Sequence, residues 1–154
     1  MSIEEAKAAR TELMQLLKNI CESDSYAIGA ILIDVKNDLV VLEYIKKTAT
    51  SDVGPKGGGI ELSGGLLGRL IPALKDLCSE GSLNLGEPFV SIVMAHKGTA
   101  IIYILSLEWV IVVFGSKGLS ISYIVQQLAQ SHSKIRALIV KAQLRREGLE
   151  EWGL

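Results

Sequence analysis

Proton transfer, covalent catalysis and metal binding each need particular side chains within reach of one another, and this sequence holds few of them. It has two histidines, His96 and His132, and two cysteines, Cys21 and Cys78. General acid–base or nucleophilic work requires a His poised beside a Ser, Cys or carboxylate. His96 adjoins the Lys97-Gly98 turn and His132 falls mid-way along a helical stretch, so each is expected as a surface residue. No two of the four stand at the i, i+3 or i, i+4 spacing from which a zinc site is built. The cysteines lie far apart with no second pair, and are expected as buried free thiols in a reducing compartment. The reading is of a protein that is not an enzyme and has no metal and no cofactor.

Glycine clusters invite a phosphate-binding reading. A Walker loop needs Gly, four residues, then Gly-Lys-Ser or Gly-Lys-Thr after a strand. Neither Gly54 to Gly59 nor Gly64 to Gly68 supplies that Lys. Gly115-Ser116-Lys117-Gly118 has the better place, between a strand and a helix N-terminus whose amides can face an anion. Two glycines and one lysine also make a plain turn, and that reading is preferred. The basic run Lys134, Arg136, Lys141, Arg145 and Arg146 complements the C-terminal dipole of a long helix and keeps it hydrated. Trp152, set among Glu150, Glu151 and Gly153, either anchors a partner or folds back on its own domain.

Charge and composition narrow the class. Sixteen Lys and Arg against 17 Asp and Glu in 154 residues leave a net charge of −1, which argues against a nucleic-acid binder. The longest apolar stretch, Ala100 to Phe114, carries Ser106 and Glu108 and falls short of the about 20 residues a spanning helix needs, so no membrane insertion is expected. Ser2, Glu4 and Glu5 do not read as a secretory leader, so none is expected, and a cytoplasmic location is expected. Hydrophobic residues make up 49% and aromatics 5%, so the core is aliphatic. A mean hydropathy of +0.34 is high for a monomer and points to a shared interface.

The elements that must position these residues follow from periodicity. Leu13, Leu16, Leu17 and Ile20 repeat on one helical face over Ile3 to Cys21, with Ser2 and Glu5 spaced as a capping box. Ala27 to Asp34 is an apolar, β-branched run suited to a central strand, and Asn37-Asp38 turns the chain into Leu39 to Lys46. Thr48 to Gly59 reads as an irregular connection. A second helix, with Ser63 as its cap, carries Leu66, Leu67, Leu70, Ile71, Leu74 and Leu77, although Gly64, Gly65, Gly68 and Pro72 weaken it and suggest two short pieces. Phe89 to His96, Thr99 to Leu105 and Trp109 to Phe114 form a meander. A long third helix starts near Ser120, with Ile121, Ile124, Val125, Leu128, Ile135, Leu138, Ile139 and Ala142 as its stripe and Gly148 as its stop.

The order α-β-β-α-β-β-β-α assembles as an α+β fold, a five-stranded antiparallel sheet with helices on both faces. Helices one and three cover one face together. One short, glycine-rich helix cannot shield the other, so a second copy of the chain is expected to complete it.

The first hairpin, AIGAILIDVKNDLVVLEYIK, resembles the opening pattern of the roadblock/dynein light chain family, with Gly29, Asp34 and the Asn37-Asp38 turn in matching places. The string EWVIVVFGSKGLSISYIVQQL resembles its closing pattern, where Gly118 and Leu119 introduce the third helix. The resemblance covers residues 3 to 140. It implies a roadblock/longin-like fold, one domain over residues 1–148 followed by a tail over 149–154, and a homodimer or a pairing with a related roadblock chain. Second helices would pack together and third strands would join, through Leu66, Leu67, Leu70, Ile71 and Leu74 in the helix and Val90, Ile92 and Met94 in the strand. The function implied is a non-catalytic scaffold or regulator of a small Ras-like GTPase or of a larger assembly. Pro72, the clustered glycines and the helix beyond Val140 depart from the family pattern. The alternative is a small-molecule sensing module of PAS/GAF type, which would need an apolar pocket with converging polar groups.

Overall fold

In the computed structural model, residues 2–47, 53–55, 60 and 65–143 are described. The elements are α1 (Ile3–Glu22), β1 (Ala27–Asp34), β2 (Leu39–Ile45), α2 (Leu66–Cys78), β3 (Val90–Met94), β4 (Gly98–Ile104), β5 (Trp109–Ser116) and α3 (Ile121–Gln143). This is the expected order. Ser63 and Gly64, the Gly57-Gly58-Gly59 triplet, Arg145, Arg146, Gly148 and the tail with Trp152 lie outside the described residues.

The strands form one antiparallel sheet in the order β2-β1-β5-β4-β3. β1 lies inside it and is buried at all eight positions, as its two-faced apolar run requires. Alternation then divides the sheet's side chains between two cores. Ala30, Leu32, Ile101, Tyr103, Ile111 and Val113 face α1 and α3, where Leu13, Leu17, Ile20, Ile124, Leu128 and Ile135 close over them. Ile31, Ile33, Ile102, Ile104 and Val110 face the other way, under Leu67 and Ile71 of α2.

Local chemistry starts and turns the elements as read. The Ser2 hydroxyl accepts from the Glu5 amide at 3.1 Å, satisfying one donor of the first turn of α1. Both carboxylate oxygens of Asp34 accept from Asn37, one from its amide and one from its side chain, which ties off the β1–β2 hairpin. A Cβ at Gly29 would stand 2.5 Å from the Phe114 ring, and one at Gly118 would stand 2.8 Å from the Tyr26 ring. Each of the two glycines marked by the resemblance therefore admits an aromatic ring against the main chain.

α2 runs through Pro72 without a break, where two short pieces were the expectation. Proline removes one hydrogen bond, to the carbonyl of residue 68. Gly68 and Pro72 are both exposed, so water can donate to that carbonyl in place of the missing amide. The helix begins behind Gly65, whose φ of 65° is left-handed.

Candidate functional site: an open face and an open edge

Around the α2 helical wheel, Leu67, Ile71, Leu74 and Cys78 point at the sheet, and Leu66, Leu70, Ala73 and Leu77 form a stripe about one quarter-turn away. Burial follows this division. Leu67 and Ile71 are 4% and 1% exposed, while Leu66 and Leu77 are 49% and 51% exposed. Leu70 and Leu74 are half-buried against the core under α2. Thus the stripe read as a contact between chains splits. Leu67 and Ile71 are core of their own chain, because the sheet takes one end of an apolar arc too wide to bury whole.

Among the described residues, the sheet is left open beside Leu66. A groove of about 440 Å³ lies there, floored by Ile31, Ile33, Ala100, Ile102, Val112 and Phe114. Its other lining residues, Gly54, Pro55, Ile60, Leu66 and Leu67, are also apolar, so among the described residues no polar side chain lines it to orient a small molecule. A sensing pocket would need that feature.

The edge of the sheet beside this groove is β3. Its register with β4 opposes Val90 to Tyr103 and Ile92 to Ile101, so Val90, Ile92 and Met94 share the face of α1 and α3. Ser91 and Val93, opposite Ile102 and Ala100, share the face of α2. The structure therefore brings the expected helix residues together, and places the expected strand residues on the opposite side of the sheet. Val90 is half-buried, whereas Ile92 and Met94 are 42% and 75% exposed. Leu77 of the helical stripe is exposed in the same region, as are Phe89, Val93, Leu83 and Leu85, which were not singled out in the sequence.

The backbone of β3 shows what its edge can bind. The Ile104 amide donates to the Phe89 carbonyl at 2.8 Å, and the Ala95 amide donates to the Gly98 carbonyl at 2.8 Å. Odd-numbered residues from Phe89 to Ala95 therefore turn their peptide groups to β4. Val90, Ile92 and Met94 turn theirs outward, where no further strand lies among the described residues. These six N–H and C=O groups, flanked by apolar side chains without a charge between Phe89 and Ala95, form a template for another strand.

The other chemical candidates are taken up by structure. The amide of Ser120, in the turn that enters α3, donates to Asp24 Oδ2 at 2.9 Å, and Tyr26 N–H donates to Asp24 Oδ1 at 2.8 Å. An internal carboxylate thus sits where the glycine-bearing loop could have met an anion. Lys46 Nζ donates to the Asp24 main-chain carbonyl at 2.8 Å. His96 is exposed at its hairpin. His132, expected at the surface, is half-buried instead, with Nδ1 2.9 Å from the Tyr103 hydroxyl. It stands four residues after Leu128 and three before Ile135, both core, and that spacing was the available signal. Burial pushes the Cys21 thiol up to about 11, which keeps it protonated and unreactive near neutrality. Cys78 is half-buried, and both cysteines are free. Among the described residues no helix is long and apolar enough to cross a membrane.

No protein-family model matches this sequence, and no curated protein matches it. Its shape does have relatives. An MglB with tetrameric arrangement is 14% identical with a TM-score of 0.63, over 88% of this chain and 93% of that one. The gliding protein MglB of Thermus thermophilus is also 14% identical, with a TM-score of 0.60 over 85% and 90% of the two chains. The Roadblock/LC7 domain from Streptomyces avermitilis is 12% identical, with a TM-score of 0.55 over 82% and 97%. The relationship to the roadblock family suggested by two local strings and the element order is thus matched in three dimensions, and the chain has the roadblock/longin-like fold.

Proposed function

We propose that this chain is a non-catalytic scaffold or regulator that works as a dimer, presenting a surface composed by two chains to a small Ras-like GTPase or to a larger assembly. The observation that carries the dimer is the coincidence of an open strand edge with an open sheet face in one region, α2 to β3. A two-fold axis normal to the sheet sets two copies of β3 antiparallel and keeps both copies of α2 on the same face. Leu66, Leu70 and Leu74 then meet across the axis, with Leu67 and Ile71 supporting them from behind. Val90, Ile92 and Met94 join the strands. Self-association in the tetrameric MglB of similar shape supports the reading, and the GTPase is what the roadblock resemblance implies. The partner chain is a second copy or a related roadblock chain.

Light scattering at low micromolar concentration should return twice the mass of one chain, 16.6 kDa. Leu66→Asp should return one mass with an unchanged circular dichroism spectrum, because a carboxylate cannot be buried there without a partner. A wild-type chain that scatters as a monomer at every concentration overturns the dimer. Capture of Ras-like GTPases loaded with GDP or a GTP analogue tests the rest, and retention of none in either state removes the GTPase.

A further inference from the structure

α2 begins without the means to cap itself. Its cap residue is Gly65, which has no side chain, and its first turn holds no carboxylate. In a capping box, a Glu or Gln at the third helical position reaches back to the amide of the cap residue. That position is Gly68 here, so the helix cannot supply the group. Another element does. Asp38, in the β1–β2 turn, accepts from the Gly65 amide through Oδ2 at 2.9 Å, across 27 positions of sequence. The same hairpin holds the chain at a second point, where Glu43 Oε2 accepts from the Ile60 amide at 3.0 Å. Glu43 opposes Ile31 in register and so shares the face of α2, where Ile60 packs on the core and lines the groove. We propose that Asp38 is the N-terminal cap of α2, supplied from the first hairpin, and that it thereby positions the first turn of the helix, with Leu66, for a second chain. The positioning rests on the two-chain reading above and names what prepares its surface.

Conformation and charge both favour the assignment. Asp38 has a φ of 54°, in the left-handed region that Asp and Asn enter more readily than other residues with a side chain. A carboxylate at a helix N-terminus also faces the positive end of the helix dipole. The contact bears on the open face because Leu66 directly follows Gly65, lines the groove and is exposed. With the first turn frayed, Leu66 would have no fixed place, and a partner would have to order it on binding.

Two substitutions at Asp38 separate the cap from the turn that carries it. Asp38→Gly removes the carboxylate and keeps the left-handed turn, since glycine adopts that conformation freely and Asn-Gly suits a hairpin. Asp38→Asn keeps an acceptor in the same place. In hydrogen exchange on separated copies, the Arg69 amide, which donates to the Gly65 carbonyl at 3.0 Å, should exchange about fivefold faster in Asp38→Gly and close to the wild-type rate in Asp38→Asn. The Ala30 and Leu32 amides of β1 should not change. Gly68→Glu builds a capping box within α2, at a site where a Cβ meets nothing within 4 Å and on the side of the helix away from Leu66. It should slow the Arg69 amide more in Asp38→Gly than in wild type. Equal rates in Asp38→Gly and wild type, or the same gain from Gly68→Glu in both, overturn the cap. Sedimentation equilibrium reads the positioning. The dimer dissociation constant should rise in Asp38→Gly, by no more than the factor seen in exchange, and stay at the wild-type value in Asp38→Asn. A constant unchanged in Asp38→Gly while exchange quickens overturns the positioning and leaves the cap standing. A wild-type chain that never dimerises overturns the two-chain reading and the positioning with it, whereas the cap is read on single chains.

Discussion

On one face of the sheet, helices of 20 and 23 residues lie together over the core; on the other, among the described residues, a single helix of 13 residues covers one end. The strands between are as apolar toward one face as toward the other, since β1 alternates Ala30 and Leu32 with Ile31 and Ile33 and buries all four. The difference therefore lies in the helices and at the sheet's edge. Where a chain has enough helix to cover a face, that face contributes stability. Where it has not, the same kind of surface stays available, and an open strand beside it gives any partner a direction and a register. A fold of this kind can bind through its unfinished half without weakening the finished one.

The largest effect should come from breaking the finished half. Leu128 is fully buried between α3 and the sheet. Leu128→Ala should cost about 2–5 kcal/mol, the sum of lost transfer energy and the cavity left behind. Leu77→Ala, on an exposed stripe of the same residue type, should change the unfolding free energy of the isolated chain by less than about 0.5 kcal/mol. Urea unfolding of both variants, at concentrations where copies are separate, measures the contrast. Equal losses would mean that the α2 face is core and that no partner is needed to explain it.

The closed half was the more legible of the two. The repeats in α1 and α3 have one narrow apolar stripe each, and such a stripe can face only one way. α2 was harder because its apolar arc runs from Leu66 to Ile71 around the helix, and nothing in the chain says which part of that arc the sheet takes. β3 was harder for another reason. Val90, Ile92 and Met94 alternate with Ser91 and Val93, but the face each set joins depends on register with β4, and a shift of one residue exchanges them. His132 was misplaced through its polarity, although its spacing from Leu128 and Ile135 already put it on the inner face.

The two halves also differ in how they are fastened. Asp24 is 8% exposed, and its carboxylate holds the amides of Tyr26 and Ser120, so one side chain joins the start of β1 to the turn entering α3. Asp24→Ala would leave both amides without that acceptor in a nearly closed setting, at a cost of about 2 kcal/mol. Asp24→Asn keeps an oxygen for one of them and should cost less. Calorimetry of the pair orders the two losses. If Asp24→Ala melts with the wild type, the carboxylate is replaceable by water and the closed half is held by its apolar core alone.

A loss of similar size, spread over about two pH units, is expected from ionisation, and it too belongs to the closed half. Cys21 has no exposed surface, and burial raises its thiol from 9.0 in the unfolded chain to about 11 in the folded one. A group whose pKa is higher when folded supports the fold while pH stays below its unfolded value. As pH rises from 9 to 11 the unfolded chain gives up this proton first, so stability falls at a limiting slope of about 1.4 kcal/mol per pH unit, to a total of about 2 kcal/mol. Tyr44 adds to the same decline, since its hydrogen bond to Glu22 holds its hydroxyl up at about 12. Cys21→Ala has no thiol to ionise, so its stability should fall less steeply than wild type between pH 9 and 11, whatever constant offset the lost sulfur brings. Urea midpoints across that range give both slopes. Parallel slopes would mean that the thiolate forms without opening the core, and that the face under α1 and α3 is less tightly closed to water than its burial indicates.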